Sequence, residues 1–291
     1  MDLTTLFCEI DDFVKALNYS NEQLLITTGK SSRGLKSRMS LSELMTIIVL
    51  YHSSGFKNFK AFYFFLRAYK RSEFPNILSY NRFIEWMPYC LIPLCSYLKT
   101  RIGTVTGVSY IDSCPLRVCK NIRIPRHKTF KGVAARGKCS MGWFYGFKLH
   151  IIVNQNGELL AFKVSKGNTN DRVPVKDLCK NLKGKLFGDK GYLSQKLFEE
   201  LYDTGVQLIT NIKSNMKNKL LPIEDKILLR KRFIIETIND QLKNIQNVEH
   251  SRHRSHTNFM VNLVAGLISY TWQKKKPSIT TRNIPSMAHC Y

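Results

Sequence analysis

The chain has 291 residues, of which 44% are apolar and 11% aromatic, so it can bury a sizeable core and is not a basic disordered tail. Its formal charge is +24, from 45 lysines and arginines against 21 aspartates and glutamates. Such an excess of like charge repels itself unless a polyanion is a partner, and nucleic acid is the usual one. We therefore expect nucleic acid as the partner, with a solvated basic surface as the alternative.

The first hundred residues are predicted to be helical. Ser40 and Glu43 have the spacing of a capping box before an apolar helix that runs to Tyr51. The aromatic-rich segments Phe56–Tyr69 and Tyr80–Leu98 continue the helical pattern. Before them, apolar residues recur at steps of three and four, as on one face of an amphipathic helix, at Leu3, Leu6, Ile10, Phe13 and Leu17.

From about residue 101 the apolar period changes to that of strands. Three strands are predicted, the last two joined by an Asn-Gly turn at residues 154–157, over Val105–Ile111, Phe144–Val153 and Glu158–Val164. Helix and strand then alternate over Asn170–Lys180, Lys185–Gly188, Ser194–Thr204, Gln207–Ile212 and a helix spanning roughly residues 225–247. This order predicts an RNase H-like α/β fold, a mixed sheet with flanking helices, preceded by a mostly helical N-terminal domain.

The cysteines and apolar stretches exclude two classes of protein. Among the eight cysteines there is no Cys-x-x-Cys pair, and the spacings of Cys90 from Cys95 and of Cys114 from Cys119 suit neither a zinc knuckle nor a disulfide scaffold. No basic secretory start is present, and the longest apolar stretch, near Met260–Tyr270, is interrupted by an asparagine and a glycine. We expect reduced thiols in a cytoplasmic protein without membrane contact.

Three acidic residues stand where a structural role explains them poorly. Asp112 follows an apolar run, Asp189 follows Leu186–Gly188, and Glu236 lies among isoleucines, where a charge is costly unless it is paired or bound to metal. Carboxylates at the ends of adjacent strands, with a third acid on a helix, suit two divalent ions that clamp the oxygens of an in-line displacement at phosphorus. We predict a two-metal site at these three acids.

Structural alternatives exist for each acid. Asp112 and Asp189 could serve as a helix cap or a turn residue. Asp171 is a rival second carboxylate, although it is well placed to cap the helix predicted after it. For Glu236 the alternative is a salt-bridge ladder along one helix face, formed by Arg232, Glu236, Asn239, Asp240 and Lys243. The opposite face is predicted to be a core stripe of Phe233, Ile234, Ile238, Leu242 and Ile245.

Basic residues form three clusters that we expect to contact phosphates. The first follows Asp112 and contains no acid: Arg117, Lys120, Arg123, Arg126, His127, Lys128, Lys131, Arg136 and Lys138. The second leads into the helix of Glu236: Lys213, Lys217, Lys219, Arg230, Lys231 and Arg232. The third is His250, Arg252, His253, Arg254 and His256, where the arginines disfavour metal binding by the histidines. Solvated basic loops are the alternative.

Three blocks of sequence resemble the acidic motifs of DDE transposases from bacterial insertion sequences. They are Ser109–Ser113, Phe187–Tyr192 and the spacing Arg232-x₃-Glu236-x₆-Lys243, which departs from the usual signature at Leu229, where a tyrosine would stand. The amino-acid sequences of Gly146–His150, Gly167–Arg172 and Glu236–Lys243 are similar to those of one branch of this family, the nine-eighty-two group. The resemblance covers roughly residues 40–276.

The resemblance implies a DNA transposase that cleaves insertion-sequence ends and joins their 3′-hydroxyls to target DNA. Asp112, Asp189 and Glu236 would hold two Mg²⁺ or Mn²⁺ ions. Double-stranded DNA, as terminal repeats and as target, would be the partner, with a homodimer in the DNA complex and association with the bacterial nucleoid. The residues expected to contact DNA are Arg117, Lys120, Arg123, Arg126, Lys128, Lys131, Lys190, Arg232, Lys243, Arg252 and Arg254.

The expected domains are a DNA-end-binding or dimerisation region at residues 1–100 and a catalytic domain at 101–256. A core helix at 257–276 and a disordered tail at 277–291 would follow. The alternative functions are a structure-specific DNA nuclease of the same fold that does not transfer strands, and a non-catalytic nucleic-acid-binding protein in which the acids are structural.

Overall fold

The computed structural model describes residues 1–17, 37–211, 221–249 and 253–279. The chain divides into two compact units. The helical unit comprises Met1–Arg101 and Leu242–Gln273, and the sheet unit comprises Ile102–Gln241 and the residues from Lys274 onward. Residues 242–249 and 253–256, which were predicted to belong to the catalytic domain, are thus part of the helical unit.

The helical unit is formed by helices that precede and follow the sheet unit along the chain. Before the sheet unit, the described part of the chain forms five helices, α1 (Leu3–Ala16), α2 (Leu41–Tyr51), α3 (Phe59–Tyr69), α4 (Tyr80–Trp86) and α5 (Leu91–Thr100), with a 3₁₀ turn at Met87–Cys90. The predicted capping box is confirmed, because Ser40 Oγ accepts from Glu43 N–H and the Glu43 carboxylate accepts from Ser40 N–H. The last helix runs over His256–Thr271, ending before the predicted residue 276, and most of its residues are buried.

The sheet unit contains a mixed sheet, as predicted for an RNase H-like fold. Its strands are β1 (Val108–Cys119), β2 (Ala135–Cys139), β3 (Gly142–Asn154), β4 (Leu159–Lys166), β5 (Gly184–Gly188) and β6 (Val206–Thr210). The order is β3-β1-β5-β6, with β2 and β4 both pairing with β3. β3 pairs with β1 antiparallel, whereas β5 pairs parallel with both β1 and β6.

Helices α6 (Val175–Leu178), α7 (Gln195–Tyr202), α8 (Ile223–Arg230) and α9 (Phe233–Asn244) accompany the sheet, and His256–Thr271 is α10. The single helix predicted over residues 225–247 is wrong. The chain turns between α8 and α9, where Lys231 N–H bonds to Ile227 O and Ile234 N–H bonds to Lys231 O. The helix predicted over residues 170–180 is reduced to a single turn that begins after Pro174.

Strand β2 was not predicted from the sequence, whereas the hairpin between β3 and β4 was. β2 lies inside the basic segment and was not predicted, because its exposed positions carry Arg136 and Lys138 and no alternation of large apolar residues marks it. The predicted hairpin between β3 and β4 is confirmed: Gly157 has φ of 73° and its N–H donates to Asn154 O at 3.0 Å.

The end of the described chain returns to this hairpin. Ile279 N–H donates to Gln155 O at 2.9 Å, and Ile279 is 9% exposed, so the start of the predicted disordered tail is packed. Residues 280–291 lie outside the described part. Within the described ranges, none of the helices combines the length and the apolar character that crossing a membrane requires.

Candidate active site

Asp112 and Asp189 lie on the same face of the sheet, on neighbouring chain segments. In the parallel pair of β1 and β5, Tyr110 is in register with Phe187, and their rings stack with centroids 5.5 Å apart. Asp112 and Asp189 each follow two residues later, and Asp189 keeps an extended backbone at φ −74° and ψ 172°. Because side chains alternate between faces, both carboxylates continue the Tyr110–Phe187 face, with neighbouring strands roughly 4.8 Å apart.

Asp112 does not end its strand, contrary to the prediction. β1 continues to Cys119 because its other edge pairs with β3, where Asp112 is opposite Ile151. The parallel pairing with β5 stops at Tyr110. Asp112 is therefore held by one neighbouring strand only, beside the point where β5 gives way to Asp189.

Helix α9 connects to the same face through Asn239. Its Nδ2 donates to Asp112 Oδ2 at 3.0 Å, and Asn239 is only 7% exposed. Glu236 lies one turn earlier on α9, and residues three apart share a helix face. The helical spacing predicted that Asn239 shares a face with Glu236. It did not predict the partner of Asn239, because no local pattern indicates which amide will donate to a distant carboxylate.

Glu236 is exposed, not surrounded by apolar residues as predicted. Its side chain is 57% exposed, and Oε1 accepts from Arg232 Nη2 at 2.6 Å. The neighbouring Ile234, Ile235 and Ile238 are buried because they point to the other side of the helix. The predicted core stripe is wrong at its ends, since Phe233 and Ile245 are exposed.

The pKa of Asp112 is affected by the charges of the other two acids. The pKa of Asp112 is raised to about 6, chiefly by burial and to a smaller extent by the charges of Asp189 and Glu236, while the Ser113 N–H and Arg232 act in the opposite direction. A buried carboxyl beside two others resists ionisation unless a cation compensates it. The charges of Asp189 and Glu236 thus both reach Asp112, although the three acids come from separate parts of the chain.

Asp189 also shapes the turn that follows it. Its Oδ1 accepts from Gly191 N–H at 2.8 Å, at the start of the 3₁₀ turn Lys190–Tyr192. A Cβ on Gly191 would lie 2.9 Å from that oxygen, so a larger residue there would displace the Asp189 carboxylate from this position. Tyr192 is buried, and burial with the charges of Asp112, Asp171 and Asp189 raises the pKa of its hydroxyl above the ordinary value.

Asp171 is held on the other face of the sheet. Its Oδ1 accepts from Lys148 Nζ at 2.8 Å. Lys148 pairs with Pro115 across β1 and β3, and this pair alternates with the pair that contains Asp112, so Lys148 and Asp112 point to opposite faces. Asp171 does not cap α6 as predicted, because Pro174 occupies the cap position and the carboxylate is taken by Lys148.

The donor chemistry of the three acids suits a divalent cation. Carboxylate oxygens are the ligands that Mg²⁺ prefers, and a cation would offset the burial and the smaller charge repulsion that raise the pKa of Asp112. Among the residues that the structure describes, no group of three His, Cys, Asp or Glu side chains is close enough to hold a metal ion. Glu236 is directed to Arg232 in this arrangement.

The predicted DNA contacts differ in their surroundings. The first basic cluster is exposed at most positions, as is Lys190 next to Asp189. Arg232 is in an ion pair with Glu236 at 2.6 Å, and Lys243 is in one with Glu249 at 3.1 Å. Arg254 is exposed in the helical unit. Outside the described residues lie Arg252, His250, Lys213, Lys217 and Lys219.

Comparison with known families gives a match over the sheet unit. A family model described as "Transposase DDE domain" matches residues 102–256, more than half of the chain. The chain belongs to this family. DDE transposases are polynucleotidyl transferases that depend on divalent metal ions and act on DNA, so the chain is an enzyme of that class. None of the curated proteins matches it in a sequence search.

Proposed function

We propose that this DDE transposase cleaves the ends of an insertion sequence and joins their 3′-hydroxyls to target DNA, with Asp112, Asp189 and Glu236 as its catalytic acids. The observation that carries the proposal is the register of β1 and β5, which brings Asp112 and Asp189 to one face. Asn239, which bonds to Asp112, brings the helix of Glu236 to that same face.

The proposed role of these residues is to hold two Mg²⁺ or Mn²⁺ ions. Bound there, such ions supply activation of the attacking water or 3′-hydroxyl and stabilisation of the leaving oxygen. Asp112 is fixed by its strand and by Asn239, so its oxygens are oriented before substrate arrives. Glu236 is exposed and bound to Arg232, and it would exchange this guanidinium for a cation, which frees Arg232 to contact a DNA phosphate.

Asp189 is favoured over Asp171 as the second acid. Asp189 continues the face of Asp112, and its charge raises the pKa of Asp112. Asp171 is paired with Lys148, whose position in β3 puts it on the opposite face. A carboxylate that is neutralised by a lysine across the sheet is poorly suited to share a cation with Asp112.

Double-stranded DNA is the proposed substrate, and the exposed cations of residues 117–138 are its proposed phosphate contacts. This segment begins at the end of β1, the strand that carries Asp112, and it ends in β2. Both of its ends therefore belong to the sheet. We further propose that the helical unit recognises the terminal repeats, that two copies act together on DNA, and that the chain belongs to the nine-eighty-two branch.

Labelled end DNA incubated with purified protein and Mg²⁺ or Mn²⁺ tests the proposal. Joined products are expected; cut products alone would indicate a nuclease, and binding without cleavage a non-catalytic DNA-binding protein. Asp112→Asn, Asp189→Asn and Glu236→Gln should each lower cleavage by at least about 10²–10³-fold, the scale on which one lost electrostatic stabiliser lowers turnover. End binding without metal should persist in all three.

Asp171→Asn is the matched control, because it removes a carboxylate from the sheet unit that is paired with Lys148. It should retain cleavage far better than Asp189→Asn. Cleavage that survives Asp189→Asn and disappears in Asp171→Asn would show that the second acid is wrongly assigned.

A further inference from the structure

The helical unit contains a cavity whose lining has a composition unlike that of an ordinary core. Its volume is about 980 Å³, toward the upper end of ligand sites. Among the residues that the structure describes, no aspartate or glutamate lines it. Its rings, charges and one of its amides come from α3, α4, the start of α10 and the segment before α10: Lys60, Phe64, Arg67, Tyr80, Arg254 and Asn258.

Two aromatic rings form a platform at this cavity. Phe64 and Tyr80 stack with centroids 6.1 Å apart and an interplanar angle of 22°. Phe64 is 46% exposed, so the platform is open to a ligand. Lys60 Nζ lies 5.8 Å from the Phe64 ring centroid and 5.9 Å from that of Tyr80, which places a positive charge beside both rings.

Positive charge at the cavity is not neutralised by neighbouring acids. Among the described residues, Lys60, Arg67 and Arg254 form no ion pair with a carboxylate. Cations close by in sequence behave differently, since Lys70 pairs with Glu73 and Arg82 with Glu85. Three cations that share a cavity with no acid repel one another, and an anionic ligand would relieve that repulsion.

The cavity also contains polar atoms without partners. Asn258 Oδ1 and His253 Nε2 are both buried and, within the described residues, neither has a hydrogen-bond partner. Burial lowers the pKa of His253 to about 4, so its ring is neutral at pH 7. A buried polar atom without a partner costs free energy, and a ligand with complementary donors would recover it.

We propose that this cavity binds an unpaired nucleotide of DNA, from a single-stranded or extrahelical segment. The base stacks on the Phe64–Tyr80 platform, the flanking phosphates contact Lys60, Arg67 and Arg254, and the base edge bonds to Asn258. Stacking platforms beside cations are the means by which proteins hold single strands. Bases within a duplex are already stacked on their neighbours, so an unpaired base gains most from an exposed ring pair.

The site rests on the proposed function only in taking DNA as the polyanion, and it does not involve the three acids. Its test uses the full chain in EDTA with oligothymidylate that carries one 2-aminopurine, whose fluorescence is quenched on stacking. Quenching is expected with the single strand and with a duplex that contains a bulged 2-aminopurine. A fully paired duplex of the same length should bind without such a change.

Variants separate the platform from general charge attraction. Phe64→Ala and Tyr80→Ala should each lower single-strand affinity roughly five- to a hundred-fold, the range that base–aromatic stacking supplies. Duplex affinity should change little. Tyr80→Phe should keep wild-type affinity because it retains the ring. Tyr69→Ala is the matched control, since Tyr69 is 74% exposed on α3 and does not line the cavity.

Lys60→Ala should reduce the salt dependence of single-strand binding by an amount that corresponds to about one phosphate. Quenching that persists in Phe64→Ala and Tyr80→Ala, or an equal loss of single-strand and duplex affinity, would overturn the proposal. If Tyr80→Ala fails to fold, Phe64→Ala, at an exposed position, and Tyr80→Phe still test whether the ring pair binds the base. A chain that cuts and joins DNA without quenching contradicts only the cavity proposal, and one that quenches without cutting contradicts only the catalytic one.

Discussion

Asn239 Nδ2 donates to Asp112 Oδ2 at 3.0 Å and thereby joins α9 to the middle of β1. The two residues are 127 positions apart in the chain. Asn239 is only 7% exposed, so this hydrogen bond is largely shielded from competing water. It fixes the orientation of the Asp112 carboxylate and the position of the helix that carries Glu236.

Asn239→Ala should therefore lower DNA cleavage by roughly 10–100-fold, the usual cost of removing a residue that orients a metal ligand. The concentration of Mn²⁺ needed for half-maximal cleavage should rise, and a metal titration of cleavage measures it. Asn244→Ala, on the exposed end of the same helix, should leave both values unchanged. An unchanged metal requirement in Asn239→Ala would show that Asn239 supports only the fold.

The ion pair of Lys185 with Asp225 should be a major determinant of stability in the sheet unit. Lys185 Nζ lies 2.7 Å from Asp225 Oδ1, and the Asp225 side chain is only 3% exposed. Lys185→Met leaves a buried carboxylate without compensation and should lower the free energy of unfolding by ~3 kcal/mol. Urea denaturation measures the change.

Lys183→Met, at an exposed position nearby, is the control and should change the unfolding free energy by less than about 0.5 kcal/mol. Adding Asp225→Leu to Lys185→Met should restore much of the stability, because the unpaired charge is removed. A double variant as unstable as Lys185→Met alone would mean that the pair contributes through packing instead.

The stability of the helical unit should fall as the solution is acidified. His52 is fully buried, its Nδ1 donates to Gln246 O, and burial lowers its pKa to about 4. The unfolded chain, with an ordinary histidine pKa near 6.5, binds the proton first. Stability is thus complete above about pH 6.5 and falls as pH decreases toward 4, by up to ~1.4 kcal/mol per pH unit for each such histidine.

Unfolding midpoints measured between pH 7 and 4.5 test this dependence. His52→Gln should be less stable at pH 7 but should show a shallower loss on acidification, whereas His256→Gln, at an exposed position, should keep the wild-type slope. A wild-type slope in His52→Gln would exclude His52 as a source of the acid sensitivity.

The basic segment of residues 117–138 should govern the salt dependence of duplex binding. Arg123 and Lys128 are both exposed. Replacing both by alanine should reduce the slope of log affinity against log salt by about 0.9 for each phosphate that the variant no longer neutralises. Lys196→Ala, an exposed lysine on α7, provides the comparison and should not change the slope. Equal slopes in all three proteins would show that this segment does not bind DNA phosphates.

Local patterns predicted much of the fold because their physics is local. The Ser40–Glu43 capping box and the hairpin turn at Gly157 depend on neighbouring residues, and the structure contains both of them. Two errors in the sheet occurred where a distant partner overrides the pattern. β1 extends past Asp112 because β3 pairs with it, and β2 forms because the end of β3 offers it an edge.

The sequence by itself determined the excess of positive charge, and its patterns predicted the fold class and three acidic motifs that resemble those of the family. Only the tertiary structure decided which side chains share a face. The parallel register of β1 and β5 brings Asp112 beside Asp189, whereas the antiparallel register of β3 holds Asp171 across the sheet with Lys148. The physical reason is that the alternation of side chains along a strand depends on neighbouring residues. The register between strands depends on hydrogen bonds and packing among residues that are far apart in the chain.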